Sequence, residues 1–227
     1  MYTTKHFDLA RNSLRFLVKE YNIKEMYIPY YLCDVMRHTL IEENCKPIFY
    51  HIDDYFMPDS TFSKESYILY PNYFGICERN TDILSEIYPK LIVDNAHSFY
   101  SQPKGFACFN AEHKFNPEKI GSYLWIKKMG EANTEEPAFP PPNNRRIDEF
   151  KKLHENFANL NNLRIELDYI KSPFCYPCLF STDEQADKHA EKLSRAGKTI
   201  YRYWDSLPKT YNEYKFYRRL VPIPLTP

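Results

Sequence analysis

The sequence contains little glycine, and this scarcity limits the kinds of phosphate site that it can form. Only five of its 227 residues are glycine, and neither the GxGxxG nor the GxxxxGK[ST] phosphate-binding pattern occurs. A net charge is also missing, because 30 Lys and Arg residues balance 30 Asp and Glu residues. Without a basic excess, a nucleic-acid or anionic-membrane partner is not expected, and a small-molecule or lectin-like role is favoured.

Long apolar segments are missing as well. No run approaches the roughly 18 apolar residues of a membrane span, and Met1–His6 lack the apolar segment of a signal peptide. The six cysteines are scattered, so we expect a cytoplasmic protein with free thiols. Cys175 and Cys178 have the spacing of a redox pair or half of a zinc site. Because no second such pair is near, we expect two buried thiols on a strand and no metal.

Aromatic residues are abundant, with 20 Tyr and 16 Phe. They allow two interpretations, a pocket that stacks rings on a ligand or ordinary core packing. Core packing is favoured, because most aromatic side chains are core residues.

Helical and strand-like segments alternate along the chain, which predicts an α/β layer fold. Apolar spacing predicts helices at 7–21, 31–44, 80–88, 146–160, 182–196 and 211–220. Short apolar runs predict strands at 26–29, 47–52, 66–70, 91–93, 105–110, 122–126, 174–180 and 199–203. Thr182 is expected to cap the helix that follows it.

A polar, proline-rich stretch divides the chain and predicts its domain organisation. We expect a large domain at 1–129, a linker or surface loop at 130–145, and a small α+β C-terminal lobe at 146–227.

One carboxylate stands at the end of a fully apolar strand. Leu91–Val93 has the composition of a strand inside a parallel sheet, and Asp94 and His97 follow it. Ligands of open α/β sheets bind at the carboxyl ends of strands. An acid there can protonate the ring nitrogen of a pyridine cofactor, and an imidazole can stack on the ring or bond its phenolic oxygen. The alternative is a solvated aspartate beside a packed histidine.

A lysine follows the next predicted strand. Lys114 comes shortly after 105–110 and before Gly121. A lysine that bonds an aldehyde must be held rigidly and must have its pKa lowered by burial or by a nearby cation. A surface lysine is the ordinary alternative.

Together these segments resemble the DegT/DnrJ/EryC1/StrS sugar aminotransferases, which are fold-type I enzymes that use pyridoxal 5'-phosphate (PLP). The resemblance depends on an ordered set of segments that covers most of residues 7–126. The set comprises Ala10–Leu14, Tyr27–Cys33, Ile48–Asp53, Asn72–Gly75, Asp94–His97 and Lys114–Phe115.

The resemblance implies a fold, a cofactor and roles for residues. The fold would be the aspartate aminotransferase-like three-layer sheet domain with a small C-terminal lobe. Lys114 would be the Schiff-base lysine and Asp94 would pair with the pyridine nitrogen. His97 would contact the ring, and Arg11 and Asn12 at the first helix start would hold the phosphate.

The implied reaction is amino transfer, with glutamate as donor, to a nucleotide-linked keto sugar for lipopolysaccharide or O-antigen synthesis. A homodimer is implied, because sites in the family lie at dimer interfaces.

Three departures keep an alternative open. Ala10 stands where the family has glycine, Cys108 or Asn110 occupies the region of its phosphate-binding serine, and the chain is shorter than typical members. The alternative is a degenerate, non-catalytic member that binds a sugar nucleotide or a partner protein. A third interpretation is an unrelated α/β binding protein.

Overall fold

The computed structural model describes residues 1–128 and 140–226. Within these ranges the chain forms nine strands and six α-helices. In chain order they are β1 (Tyr2–Phe7), α1 (Ala10–Glu20), β2 (Glu25–Pro29), α2 (Asp34–Glu42), β3 (Lys46–Tyr50), β4 (Ile68–Pro71), α3 (Glu78–Ile87), β5 (Leu91–Asn95), β6 (Ala107–Asn110), β7 (Ser122–Lys127), α4 (Asn144–Phe157), β8 (Cys175–Leu179), α5 (Asp183–Arg195), α6 (Tyr214–Arg219) and β9 (Leu220–Pro224). Among the described helices, none is long and apolar enough to cross a bilayer.

Seven strands form one mixed sheet in the order β1-β7-β6-β5-β4-β2-β3. The strands from β6 through β5, β4 and β2 to β3 are parallel. β7 runs antiparallel to both β6 and β1. The parallel strands therefore end at one edge of the sheet, where α/β folds place their ligands.

Apolar side chains cover both faces of this sheet, which makes the fold three-layered as expected. On one face, α1 and α2 pack on the sheet through residues such as Leu14, Leu17 and Leu40, which are fully buried. On the other face, Leu84 of α3 joins aromatic residues of the sheet and of the C-terminal segment, including Tyr70 and Phe216. One buried cluster thus contains residues from both ends of the chain.

The C-terminal segment has its own small core. β8 and β9 pair antiparallel, and Phe150 of α4, Tyr176 of β8 and Ala186 of α5 are buried together. Thr182 accepts a hydrogen bond from the Gln185 amide at 3.2 Å, which confirms the predicted cap. Cys175 and Cys178 lie buried on β8 as expected.

Several boundaries differ from the prediction, and one strand is wrong. Residues 199–203 are irregular, because Tyr203 and Trp204 turn into an aromatic cluster. The partner of β8 is instead β9. The predicted division at 129 and 146 stays a prediction, since residues 129–139 lie outside the described part of the chain and α4 already begins at Asn144.

Gly75 sits where the C-terminal segment meets the sheet, and we expect Gly75→Ala to lower the free energy of unfolding. Gly75 has φ +73°, and a Cβ there would lie 2.6 Å from the His97 carbonyl oxygen and still closer to that of Ser172. The left-handed backbone costs roughly 1–2 kcal/mol for alanine, and the overpacking adds about 1–3 kcal/mol. Urea denaturation measures the change.

Gly197 provides the matched control. It has φ +82°, but a Cβ there would meet nothing within 4 Å. Gly197→Ala should therefore show only the backbone cost. Equal losses for the two variants would contradict the close packing at Gly75.

Candidate active site

A cavity of about 240 Å³ opens at the carboxyl edge of the parallel strands. Its wall includes Pro71 and Asp94, which belong to β4 and β5, and Ala111, which follows β6. The start of α1 and the turn before α2 complete the wall with Ala10 and Cys33. The topology therefore brings these five chain segments to one place.

Asp94 presents a buried carboxylate to this cavity. The side chain belongs to a residue that is 7% exposed, and its Oδ1 accepts a hydrogen bond from the Ala96 amide at 2.8 Å. Among the described residues, no other donor bonds to this carboxylate. Burial raises the pKa of Asp94, while the Ala96 amide and the charge of Lys114 lower it. A buried acid with so few donors gains stability from a cationic partner.

Lys114 lines the same cavity from a short 3₁₀ turn at Glu112–Lys114. The Glu112 amide ties this turn to the Gly121 carbonyl at 2.8 Å, and the Lys114 Nζ lies 5.9 Å from the centre of the Phe174 ring. Burial of the amine lowers the pKa of Lys114, and the charge of Asp94 opposes this shift. The two groups form no ion pair in the described chain, although each acts on the pKa of the other. The space between an amine and an acid is thus left open.

The first turn of α1 supplies donors at the cavity. Leu9, Ala10 and Arg11 line it, the Leu9 cap makes no side-chain hydrogen bond, and the turn contains no acidic residue. The first amides of a helix have no intrahelical acceptor and attract anions. An anionic group fits this end of the cavity.

Solved structures share this fold, although no family model and no curated protein matches the sequence. A DegT DnrJ EryC1 StrS aminotransferase from Brucella abortus superposes with a TM-score of 0.71 at 11% identity, over 98% of this chain and 80% of the other. NtdA from Bacillus subtilis, solved with bound cofactor PMP, gives a TM-score of 0.73 at 13% identity, over 98% and 68%. Helicobacter pylori PseC, an aminotransferase of pseudoaminic acid biosynthesis, gives 0.66 at 13% identity, over 97% and 81%.

This chain has the PLP-dependent aminotransferase fold. The expected fold class is therefore confirmed, and the Brucella abortus structure carries the DegT DnrJ EryC1 StrS description of the family that the sequence resembles. At these identities the likeness concerns the backbone, so the roles of individual residues depend on the geometry of this chain.

The side chain of His97 is surrounded by aromatic rings in this fold. Its imidazole stacks with Phe174 at 4.5 Å and with Trp204 at 5.5 Å between ring centres. The buried Nε2 has no hydrogen-bond partner among the described residues. Burial, and to a lesser extent the charge of Lys114, lowers the pKa of His97 well below its ordinary value. The ring is thus neutral, with one nitrogen free to meet a ligand.

Arg11 and Asn12, both predicted to hold a phosphate, are placed differently. Arg11 is exposed and lines the cavity. The Asn12 side chain donates to Asp8 and accepts from Arg15, each at 2.5 Å, and it is not part of the cavity wall. The structure therefore brings Arg11, Asp94, His97 and Lys114 together and leaves the Asn12 side chain outside.

Cys108 and Asn110, which occupy the region of the serine in the family, also lie outside the wall. Cys108 is fully buried on β6, and its burial raises the pKa of the thiol to about 12. Asn110 accepts a hydrogen bond from the Tyr123 amide at 2.9 Å. Both side chains support the sheet.

Several residues that sequence reasoning did not select also line the cavity, among them Asn72 and Trp204. Asn72 donates to Glu78 at 2.9 Å, inside a buried network in which Lys104 neutralises Glu78 at 2.8 Å. Trp204 reaches the cavity from the C-terminal segment with φ 59°. Asn72 belongs to a quoted segment and could have been selected. No sequence signal connects Trp204 to residues so far away in the chain.

The lowered pKa of His97 predicts an acid-sensitive fold. Below pH about 6.5, the unfolded chain binds a proton at this position that the folded chain excludes. The free energy of unfolding should therefore fall as the pH drops from about 6.5 toward the folded pKa, by up to about 1.4 kcal/mol per pH unit. Urea denaturation between pH 7.5 and 5.5 should give a steeper loss for the natural protein than for His97→Gln.

The comparison uses the slope of the free energy of unfolding against pH. The absolute free energy is not compared, because His97→Gln also removes ring stacking. His113 and His154 have lowered pKa values through burial, but both remain in each protein and cancel in the difference. His38→Gln, at an exposed position of α2, serves as the control. Parallel slopes for the natural protein and His97→Gln would contradict a buried neutral imidazole.

Proposed function

We propose that this protein is a PLP-dependent aminotransferase that delivers an amino group to a keto sugar linked to a nucleotide. The observation that supports the proposal most is that Asp94 and Lys114 line one cavity without forming an ion pair. An acid for a pyridine nitrogen and an amine for an aldehyde are the two groups that this cofactor requires of a protein.

The residues present fit the cofactor at three points. The Arg11 side chain and the backbone amides of Ala10 and Arg11 would hold its phosphate, since they have no acceptor among the described residues. Asp94 would pair with the protonated pyridine nitrogen, and this cation would stabilise the buried carboxylate. The free Nε2 of His97 would meet the ring or its oxygen. When bound, the cofactor supplies an electron sink for carbanion chemistry.

The residues of the chain have separate tasks in this reaction. The Lys114 amine, whose pKa is lowered by burial, would accept a proton at Nζ and return it at another atom. Asp94 keeps its charge beside a bound cation. The stacked rings of Phe174 and Trp204 fix the orientation of His97 and exclude water from it.

The finer parts of the proposal follow the family resemblance and, for the pathway, one solved structure. Glutamate is the proposed donor, and the amino sugar would enter lipopolysaccharide or O-antigen synthesis, as the role of Helicobacter pylori PseC in pseudoaminic acid biosynthesis suggests by analogy. We place the reaction in the cytoplasm, because all six cysteines are free thiols, which a reducing compartment maintains. A homodimer is proposed from the family resemblance.

Two half-reactions test the function separately. Protein loaded with PLP and freed of excess cofactor is mixed with glutamate, and 2-oxoglutarate is measured against the protein. We expect one equivalent of 2-oxoglutarate per site, a change in the absorbance of the bound cofactor, and its reversal when a nucleotide-linked keto sugar is added. Bound PLP with no 2-oxoglutarate would reject glutamate transfer and favour the non-catalytic alternative.

A further inference from the structure

A buried carboxylate lies behind the wall of the cofactor cavity. Glu78 is the first residue of α3, is 4% exposed and does not itself line the cavity. Its Oε2 accepts a hydrogen bond from Lys104 at 2.8 Å. Three neutral donors contact its Oε1, namely the Asn72 amide group at 2.9 Å, the Ser98 hydroxyl at 3.3 Å and the Ser101 hydroxyl. Burying a carboxylate is costly unless its oxygens are hydrogen-bonded, and these donors hold Glu78 in one place.

The two serines belong to the turn that carries His97. This turn follows β5, and Ser98 comes directly after His97 in the chain. The Ser98 amide donates to the Asn95 carbonyl at 2.8 Å, and the Ser101 amide donates to the Ser98 carbonyl at 3.1 Å. Backbone bonds thus shape the turn, and the Glu78 carboxylate fastens it to α3 through both hydroxyls. The position of the His97 residue is therefore tied to that of Glu78.

The same network reaches the ring that stacks on His97. The Ser98 hydroxyl also lies 3.3 Å from the Ser172 carbonyl oxygen, and the Ser172 hydroxyl accepts a bond from the Tyr100 amide at 2.8 Å. Phe174, two residues after Ser172, stacks on His97 at 4.5 Å between ring centres. The network thus connects the C-terminal segment to the turn and fixes both partners of this stack.

Asn72 connects Glu78 to the strand end that carries Asp94. Its backbone amide donates to the Asp94 carbonyl at 2.9 Å. Its side chain accepts from the Cys77 amide at 3.0 Å and donates to Glu78 and, at 3.3 Å, to Asn95. Both hydrogens of the side-chain amide are therefore used. Asn72 supports the cavity wall and has no donor left for a ligand, so Glu78 reaches the site only through other residues.

We propose that Glu78 is a positioning residue of the aminotransferase reaction, and that it acts through His97 by fixing the turn that carries the imidazole. The Asp94 carboxylate has its own bond from the Ala96 amide at 2.8 Å. The buried Nε2 of His97 has no hydrogen-bond partner among the described residues, so this ring depends on its turn and on stacking for its place. The inference rests on the proposed function for its effect on amino transfer, whereas the place of the imidazole is a property of the chain without cofactor.

Glu78→Gln changes the network and keeps the size of the side chain. It replaces one acceptor oxygen with an amino group. The amide oxygen should face Lys104, because a charged donor forms the stronger hydrogen bond. The amino group then faces Asn72 and the two hydroxyls, and Asn72 loses an acceptor. Lys104 keeps its ion pair with Asp82 at 2.6 Å, so its charge stays paired.

Two further variants accompany Glu78→Gln. Ser101→Ala removes one donor of the network without removing a charge, and it carries the same test if Glu78→Gln does not fold. Glu86→Gln makes the same substitution at an exposed position of α3 and is the matched control. Thermal unfolding shows which variants are folded and enter the comparison.

The first measurement follows the His97 imidazole in the chain without PLP. With ¹⁵N-labelled histidine, NMR observes the seven imidazoles, and the signal missing from His97→Gln is that of His97. The chemical shift of this ring depends on its distance from the Phe174 ring that stacks on it. We expect Glu78→Gln and, to a smaller extent, Ser101→Ala to displace the signal. Glu86→Gln should leave it in place.

The second measurement follows 2-oxoglutarate formation in protein saturated with PLP. Glu78→Gln should lower the maximal rate by about 10- to 100-fold, because misplacing a group by about 1 Å can cost that much. The glutamate concentration at half the maximal rate should change little. If Glu78 acts through His97, the two losses are not independent, and the double variant of Glu78→Gln and His97→Gln should react about as slowly as His97→Gln alone. A role in stability only would give losses that multiply.

Two results overturn the proposal. One is a His97 signal at its natural position in folded Glu78→Gln, or in Ser101→Ala where that variant takes its place. The other is a pair of rate losses that multiply in the double variant. A natural protein that forms no 2-oxoglutarate would reject the proposed function, but the imidazole signal would still show whether Glu78 positions His97, so the two proposals fail separately.

Discussion

Replacing Lys114 with alanine is expected to reduce amino transfer by about 10²- to 10⁴-fold through loss of the proton carrier alone. The Lys114 amine is the only lysine nitrogen of the described chain in the wall of the cofactor cavity. No other group there combines a lowered pKa with an amine that can bond an aldehyde. The rate of 2-oxoglutarate formation from glutamate, measured with saturating PLP, gives the effect.

The control for this prediction is Lys119→Ala. Lys119 follows the same turn, and its side chain is 62% exposed and pairs with Glu112 at 3.4 Å. We expect it to retain the activity of the natural protein. Thermal unfolding of Lys114→Ala should differ little from that of the natural protein, because the lost amine is already disfavoured by burial. Undiminished transfer by Lys114→Ala would exclude its proposed role.

Asp94→Asn is expected to lower the transfer rate by about 10²–10³-fold while PLP still binds to the protein. Asparagine has nearly the same shape and can accept the hydrogen bond that the Ala96 amide donates at 2.8 Å. It cannot provide the negative charge that keeps a pyridine nitrogen protonated. The effect should therefore appear in the turnover number more than in the affinity for PLP.

An exposed acid provides the comparison for Asp94. Asp59→Asn, at an exposed position outside the cavity, should leave turnover unchanged. Because burial raises the pKa of Asp94, its neutral replacement should not lower the stability of the folded chain. An Asp94→Asn protein that turns over as fast as the natural protein would show that the acid does not serve the cofactor ring.

Much of the sheet could be predicted from sequence, because its central strands are short apolar runs. Leu91–Val93 is one such run, and the positions of Asp94 and Lys114 after successive strands predict that both groups lie at one edge of the sheet, where both line one cavity. The sheet topology then brings the two groups together, because neighbouring parallel strands end at the same edge of the sheet. The family resemblance implied Arg11 at the start of the first helix, and Arg11 lies in the first turn of α1 and lines the cavity.

Other elements were missed for identifiable physical reasons. β1 is an edge strand whose inner residues, from Thr3 to His6, are exposed, so it has no apolar alternation. β9 contains Pro222 and Pro224, which argue against a central strand, but a two-stranded sheet has only edges and tolerates them. At 199–203 the aromatic residues suggested a strand, yet tertiary stacking on His97 determines their conformation.

The cavity wall from the C-terminal segment could not be predicted at all. Trp204 reaches the cavity through contacts that span much of the chain, such as the bond from the Phe174 amide to the Phe74 carbonyl at 2.9 Å. Asn12 shows a second limit of prediction from sequence, because its position was predicted but its contacts were not. It stands at the predicted place, but its amide is engaged by Asp8 and Arg15, and a linear pattern does not reveal such local competition.

The covalent mapping of PLP on the chain tests the central claim most directly. The natural protein is incubated with PLP, reduced with borohydride and digested, and the modified peptide is identified by mass spectrometry. We predict a single reduced adduct on Lys114, absent from Lys114→Arg and present at full yield in Lys119→Ala. An adduct confined to other lysines, or none on a folded protein, would contradict the account.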